Sequence, residues 1–588
     1  MKIKHFFGLA VIAAMTASCS SNEDLGTAGP GTGTNEAGAS YASITIDLPT
    51  TRGTRAEIDN FDGGTASEYA VNDATLLIFK KVGTSENDYT FVEKADLGNL
   101  EPWKNVTPAN KGITTEATIT AELKKVTVGE GGDYYALVIL NNKDKDNKDK
   151  VSMPSSTDTY GTWNAATTVK NLIDYKKGFY MANAPEFKGA DQEPTTLVQI
   201  KGIYRTKEEA HSKPGATVHV ERGLAKVTVG KGTGKDYFTG AKASGTKYSN
   251  DDVKIESWAL DVINKYSFPV HVTAGLKDGL TSTSLTIPSY PEIWSNVSGK
   301  TDRFVSQVSA KGAFKRVYWG IDPNYSMDLS DFTKCNAQFT LAEADVSKVA
   351  WNAGSGSDKP LYCMENTFDI NNMLQGQTTR VLLKATYTPS AVASETDKTF
   401  FMIGNSSDIW TVTTLAEQIK SKAEEVLGTT AGVTVTLNDG IKAAGTHLLD
   451  ATNVTIKSGA DDKTSAIVDQ INDKLGLKAA TTTDPIVGIA TYKGGESYYI
   501  ARIKHFGDDF TAWNPGDKLY DGNNEKWLGR YGVLRNNWYD LTVNSISGPG
   551  YPDVPKVKPG DPDDEDTKYI NVSVKILDWA KRSSTLDL

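Results

Sequence analysis

Hydrophobic and polar residues alternate at period two in short segments spread along the chain, and each such segment predicts a β-strand that buries one face. The last of them, Tyr569 to Trp579, sets Ile570, Val572, Val574 and Ile576 against polar neighbours. The first, Tyr41 to Leu48, sets Ala42, Ile44, Ile46 and Leu48 on one face, so the two segments share a period and have four apolar positions each. Between them, short runs rich in Val, Ile, Thr and aromatic residues predict strands at Ala74–Phe79, Thr115–Leu123, Tyr134–Leu140 and Thr217–Val229. Further strands are expected at Val253–Val262, Gln338–Leu341, Thr379–Tyr387, Glu496–Ile503 and Trp538–Ile546. The period changes to that of a helix in two places. Thr414-Leu415-Ala416-Glu417 reads as a capping box ahead of Ile419, Ala423 and Val426, with Gly428 closing the turn. Ser465–Leu475 carries Ile467, Val468, Ile471 and Leu475 on one face and ends at Gly476.

The segments between these elements differ in kind. Pro549, Pro552, Pro555, Pro559 and Pro562, followed by the acidic run Asp563-Asp564-Glu565-Asp566, predict a stiff, extended, solvated spacer. A strand held off its own body on such a spacer needs a partner edge. Ser20–Ser40 is almost free of large apolar residues and reads as a disordered tether. Pro49–Ala56 is polar, contains Gly53 and carries Arg52 and Arg55; it is either an exposed loop of the kind where proteolysis concentrates or a plain surface turn. Gly230–Lys235 has the glycines of a phosphate loop but not its spacing, and is read as a linker. Asp144–Lys150 alternates acids with lysines that offset the charge a calcium loop needs, and is read as a solvated turn.

With 588 residues the chain can bury more than one core, and two main domains are expected. Its 52 glycines and 25 tyrosines favour sheet, and a net charge of −10 argues against nucleic acid as a partner. Lys2 and Lys4 precede an apolar run from Phe6 to Ala14 that is too short to span a bilayer and reads as an export signal. The run ends in Thr16-Ala17-Ser18-Cys19, which resembles a bacterial lipobox with Thr16 in place of the usual leucine; an ordinary signal peptide with an incidental cysteine is the alternative. Acyl chains on Cys19, at about 0.8 kcal/mol per buried CH₂, would hold a precursor to a membrane. Six histidines (His5, His211, His219, His271, His447, His505) show no metal-binding spacing, and no nucleophile elbow is present. No catalytic residue, metal or cofactor is expected. Cys335 and Cys363 are either a disulfide or two buried thiols.

Four pieces of sequence carry a resemblance: the lipobox with its following strand and Thr54-Arg55-Ala56 loop, Val218-His219-Val220-Glu221-Arg222-Gly223-Leu224-Ala225-Lys226-Val227, Leu361-Tyr362-Cys363-Met364-Glu365-Asn366-Thr367, and Tyr531-Gly532-Val533-Leu534-Arg535-Asn536-Asn537-Trp538-Tyr539. Together they resemble the fimbrillins of type V pili, in particular the Mfa-like branch. The expected fold is mainly β: two β-sandwich, transthyretin-like domains in tandem, with a small helical insertion in the second and a C-terminal donor strand. The boundaries expected are a signal peptide at 1–18, a lipidated propeptide with a removable first strand at 19–55, sandwiches at 56–231 and 232–548 with the insertion at about 404–484, and a linker with donor strand at 549–588.

The resemblance implies that the precursor travels as an outer-membrane lipoprotein and is cut after Arg55, ahead of Ala56, with Arg52 a second candidate. The strand bearing Ala42, Ile44, Ile46 and Leu48 is then lost, and another copy fills the groove with Ile570, Val572, Val574 and Ile576, Trp579 acting as a terminal plug. The implied partners are other copies and related pilins in a surface fimbrium that supports adhesion and biofilm formation. The alternative is a pilus-tip or surface-anchored adhesin that binds glycans, and in an uncut monomer the C-terminal strand is expected to be loosely held.

Overall fold

A chain this rich in alternating β-branched and aromatic residues satisfies its backbone in sheets, and the computed structural model is mainly β with short helices. It describes residues 39–49, 65–98, 100, 104–105, 113–128, 131–166, 169–170, 172–186, 194–273, 281–282, 285–286, 316–317, 319–356, 358–368, 372–481, 485–505, 529–563 and 570–578.

The first half builds one large sheet from β1 (Ser40–Pro49), β2 (Ala74–Lys80), β3 (Thr90–Gly98), β4 (Lys104–Asn105), β5 (Ile113–Leu123), β6 (Tyr134–Leu140), β7 (Met181–Asn183), β8 (Val198–Gln199) and β9 (Ala216–Arg222). Its nine strands run in the order β3-β2-β6-β7-β9-β1-β5-β4, with β8 alongside β6. The first strand among the described residues therefore completes the sheet from the middle. Ile44, Leu77, Val138, Leu140 and Val218 are fully buried in a single hydrophobic core.

The segment Thr217–Val229, expected as one strand, is two. It breaks at Gly223, where a Cβ would stand 3.1 Å from the Tyr180 ring and 3.2 Å from Leu172. The next strand, β10 (Leu224–Lys231), enters a different sheet and runs into the glycine stretch that was expected to be a linker.

The remaining strands are β11 (Ala241–Lys242), β12 (Asp252–Asp261), β13 (Ile263–Asn264), β14 (Thr281–Ser282), β15 (Leu285–Thr286), β16 (Phe339–Thr340), β17 (Leu361–Met364), β18 (Arg380–Thr388) and β19 (Phe400–Ile403). They are followed by β20 (Val433–Leu437), β21 (Gly445–His447), β22 (Val454–Ser458), β23 (Asp461–Asp462), β24 (Ile489–Tyr492), β25 (Glu496–Arg502), β26 (Asn537–Ile546) and β27 (Ile570–Asp578). Two four-stranded sheets, β17-β10-β26-β27 and β11-β12-β18-β25, share a core of Val227, Tyr237, Trp258, Leu383, Tyr499 and Tyr539. The expected strand at Gln338–Leu341 is shorter than its pattern: Gln338 ends a helix from Phe332, and β16 is two residues long.

Between β19 and β24 lies an insertion with its own core of Leu415, Ile419, Val454, Ile456 and Ile471. Both expected helices are present, at Val412–Leu427 and Thr464–Lys474, and Gly428 closes the first in the left-handed region at φ 66°. The capping box sits three residues earlier than expected, with Thr411 and Thr414 exchanging side-chain bonds, because Thr414 itself is already helical. The insertion is also not purely helical, since β20, β22 and β23 form a sheet of their own and β21 pairs with β24. Among the described residues no helix is long and apolar enough to cross a membrane.

Candidate functional site

β1 is bound on both edges. It pairs antiparallel with β5 from Ser40 opposite Leu123 to Pro49 opposite Ile113, and parallel with β9 from Ile44 opposite Ala216 to Asp47 opposite His219. Ala42, Ile44, Ile46 and Leu48 are wholly buried, the face the alternation predicts. The polar face is covered too: Ser43 and Asp47 are 0% exposed and Thr45 8%. A short helix, Lys207–Ser212, packs on β1 and β5, and Tyr204 and Tyr41 exchange two backbone hydrogen bonds of 2.8 Å. Thr45 Oγ1 lies 3.0 Å from Thr118 Oγ1, Ser40 Oγ donates to the Val126 carbonyl at 2.6 Å, and the Asp47 carboxylate stands 3.6 Å from His219 Nδ1. A strand taking this seat must match both faces.

Truncating one anchor in this seat should be costly. Ile46→Ala is expected to destabilise the uncut chain by about 2–5 kcal/mol, the range for a large-to-small change in a packed core. Thermal or urea unfolding of the uncut protein measures it.

The C-terminal strand, expected to be loosely held, is paired along one edge. β27 pairs antiparallel with β26 from Ile570 opposite Ile546 to Asp578 opposite Asn537, with one irregularity between Val543 and Ser545. β26 in turn lies parallel to β10, so β27 forms the outer edge of that sheet among the described residues.

The proline-rich spacer, expected to be solvated, is bonded to the body along its described part, although Asp553, Lys556, Lys558, Gly560, Asp561 and Pro562 are exposed. Tyr499 and Tyr492 hydroxyls donate to the carbonyls of Gly548 and Gly550, and Tyr551 exchanges backbone bonds of 2.9 and 2.7 Å with Tyr498. Farther along, Arg380, paired with Asp261 at 2.8 Å, donates to the Pro555 carbonyl at 2.6 Å, and the Val557 amide donates to Glu343 Oε1 at 2.7 Å. Asp563, fully buried, accepts from the Thr378 hydroxyl at 3.1 Å. Prolines lack the N–H that a sheet would use, and this strap is held instead through its carbonyls and the amides between the prolines.

Three of the sequence pieces that carry the resemblance meet in one buried polar junction where β9 leaves the first sheet. Arg222 Nε donates to the Glu68 carbonyl at 2.8 Å, and the Glu68 carboxylate takes Lys226 Nζ at 2.9 Å and the Tyr362 hydroxyl at 2.6 Å. Lys226 also sits 4.1 Å from the centre of the Trp538 ring. Glu221 holds His271 Nδ1 at 2.7 Å and Arg316 at 3.0 Å, while Arg535 reaches Glu365 at 3.3 Å and the Ser267 hydroxyl at 3.1 Å. Burial pushes the Glu221 carboxyl up, but the charges of His271 and Arg316 outweigh it and leave the group below the ordinary carboxylate range. Asp322 has the opposite fate, since burial raises it well above that range despite amide donors from Thr367 and Asn324. A carboxylate lowered in the folded state adds stability above its unfolded value, and that stability is lost as pH falls through the folded one. Removing one partner leaves a buried charge uncompensated, so Glu365→Ala is expected to cost about 3–5 kcal/mol in chemical denaturation at neutral pH.

Cys335 and Cys363 are free buried thiols, which excludes the disulfide. Cys335 Sγ donates to the Gly376 carbonyl at 2.9 Å, whereas Cys363 lies in β17 within a different core. Burial pushes both thiols up to about 12. The Asp144–Lys150 segment is a turn in which Asp144 Oδ1 accepts from the amides of Asp146 and Lys148. It is less solvated than expected, since Lys150 is buried against the carbonyls of Asn141 and Gly178 and its ammonium is lowered to about 8 by burial. Among the described residues no cluster of His, Cys, Asp or Glu is arranged to hold a metal ion. Cys19, Arg52, Arg55, Ala56 and Trp579 lie outside the described residues.

Residues 490–585 match the family model described as "Major fimbrial subunit protein type IV, Fimbrillin, C-terminal", a span that includes β25, the Arg535 loop, β26, the strap and β27. A search of curated proteins finds no match. Among solved structures, a fimbrilin (FimA) from Porphyromonas gingivalis W83 is similar at 10% identity and a TM-score of 0.34, covering 92% of this chain and 99% of its own. A cell adhesion candidate from Parabacteroides distasonis ATCC 8503 is similar at 10% identity and a TM-score of 0.36, covering 92% and 98%. The tip fimbrial protein Mfa3 from Porphyromonas gingivalis, truncated at its C-terminus, is similar at 10% identity and a TM-score of 0.28, covering 92% and 100%.

Proposed function

We propose that this chain is a structural subunit of a cell-surface fimbrium. It is exported as a lipoprotein precursor through Cys19, cleaved after Arg55 (Arg52 being the second site), and polymerised when the C-terminal strand of another copy enters the seat left by β1. The observation that carries this reading is the position of β1. It is the first strand among the described residues, it fills the sheet from within between β5 and β9, and the segment with Arg52 and Arg55 follows it directly. β27 repeats its apolar pattern at four positions, with Ile570, Val572, Val574 and Ile576 matching Ala42, Ile44, Ile46 and Leu48; Ile570 is larger than Ala42, and each valine is one methylene smaller than the isoleucine it would replace. The fimbrillin match over residues 490–585 supports the same assignment.

In this reading residues 1–55 are signal and propeptide, the sandwiches at 56–231 and 232–548 form the subunit body in tandem, and 549–588 is strap and donor strand. The lipid serves transit to the outer membrane and leaves with β1. The branch proposed is the Mfa-like one of type V fimbrillins, on the resemblance of the four sequence pieces, three of which meet in the buried junction. A second reading, a pilus-tip or surface-anchored adhesin, is favoured by one observation: β27 lies on its own β26, as in a subunit that does not donate it.

Mass spectrometry of fibres isolated from cells distinguishes the two. The stalk subunit gives a mature N-terminus at Ala56 and no peptide from Tyr41–Leu48; a lipidated Cys19 throughout the polymer would sink the cleavage step.

A further inference from the structure

Register fixes which cross-strand pairs break and which form when one strand replaces another. On the polar side of β1, the pairing aligns Lys104 of β4, Glu116 of β5, Asp47 of β1 and His219 of β9 in one row. β1 thus sets one carboxylate directly across from another, an arrangement that weakens a β-pair. Lys104 stands on the far side of Glu116, and His219 on the far side of Asp47.

An incoming β27 that keeps the sense of β1 also keeps the antiparallel ladder to β5 and the parallel one to β9. With Ile570, Val572, Val574 and Ile576 on the seats of Ala42, Ile44, Ile46 and Leu48, its polar residues fall on the seats of Ser43, Thr45 and Asp47 as Asn571, Ser573 and Lys575. A slip of two residues in one direction puts Asp578 on the buried Leu48 seat, and in the other puts Lys568 on the buried Ala42 seat. The reverse sense places Lys575 at Ser43, across from Thr120, and Asn571 at Asp47.

Resting on the strand-exchange reading above, we propose that Lys575 is a specificity-determining residue of the subunit joint. It takes the place of Asp47 across from Glu116, turns a like-charge opposition into an ion pair, and thereby sets the sense and register of the incoming strand. β1 stays while it is covalently attached; once it is cut, the incoming strand gains the Lys575–Glu116 pair and gives up the contact of Asp47 with His219 at 3.6 Å.

Labelled peptides spanning Tyr569–Trp579, with Lys575 or with Lys575→Glu, are offered to the full-length precursor after cleavage of its arginine loop, with Glu116 or with Glu116→Lys. Capture of the Lys575→Glu peptide by the unaltered protein is expected to fall about tenfold. Glu116→Lys should lower capture of the unaltered peptide similarly and restore that of Lys575→Glu. A second measurement stands apart from the folding of the charge variant: a Lys575→Cys peptide should form a disulfide with Glu116→Cys and not with Thr120→Cys. Capture of the unaltered peptide with no effect of the charge swap, or a disulfide to Thr120→Cys, overturns the role of Lys575 and leaves strand exchange standing. Failure to capture any peptide overturns strand exchange itself, and this proposal with it.

Discussion

Removing Lys568 to Leu588 should leave a soluble, folded subunit that forms no fibres. β27 contributes one outer edge of one sheet, and the strap before it is fastened to the body through Gly548, Gly550, Tyr551, Pro555, Val557 and Asp563 without it. Losing a single edge ladder costs on the order of a few kcal/mol, against two sheets and a shared core that remain. Polymerisation should instead fall to background, because the truncated chain lacks the strand that is to replace β1. Electron microscopy of cell-surface material and the unfolding midpoint of the truncated protein check both halves of this expectation. Normal fibres from the truncated chain would remove β27 from the account.

Replacing Arg52 and Arg55 together with alanine should trap the lipidated precursor. With β1 still attached, baring the groove means exposing Ile44, Ile46 and Leu48, each fully buried and each worth roughly 1.5–3 kcal/mol, together with the ladders on both edges. Those three side chains alone reduce spontaneous opening by about 10³ or more. The expected phenotype is full-length protein at the membrane, retaining its Cys19 lipopeptide, with fibres lost. Fibres at ordinary abundance from this variant would show that the loop is not the processing site.

Much of the sheet was legible in the sequence, and the exceptions share a cause. Segments such as Ala74–Phe79 and Tyr134–Leu140 lie within a residue of their observed bounds because each is a short, near-continuous apolar run, and such a run is buried on both faces of a strand. Alternation does not report which sheet a strand joins. The valines change phase across Gly223, from Val218 and Val220 to Val227 and Val229, and the closeness of Tyr180 and Leu172 requires glycine at the break. The strap was misread for a related reason. Proline composition predicts an extended backbone, whereas the strap bends at 552–554 and turns at 559–560, and composition does not report that Arg380, Glu343 and Thr378 bond it. Likewise β1 was taken to wet one face, whereas Lys207–Ser212, over 150 residues away, packs on it. The buried junction was visible as conspicuous charge inside otherwise apolar strands, at Glu221, Arg222 and Lys226. Its partners Glu68, Arg316 and Glu365 are scattered through the chain, and only folding brings them together.

The claim at the centre of this account is that cleavage decides which of two strands occupies the seat between β5 and β9. Fibres assembled from an equal mixture of isotopically light and heavy subunits, cross-linked and digested, test it most directly. The account predicts that peptides from Ile570–Asp578 are joined to peptides from Ile113–Leu123 in mixed light–heavy pairs, with no peptide from Tyr41–Leu48 in the fibre. Tyr41–Leu48 still joined to Ile113–Leu123 within single subunits of the polymer would contradict it.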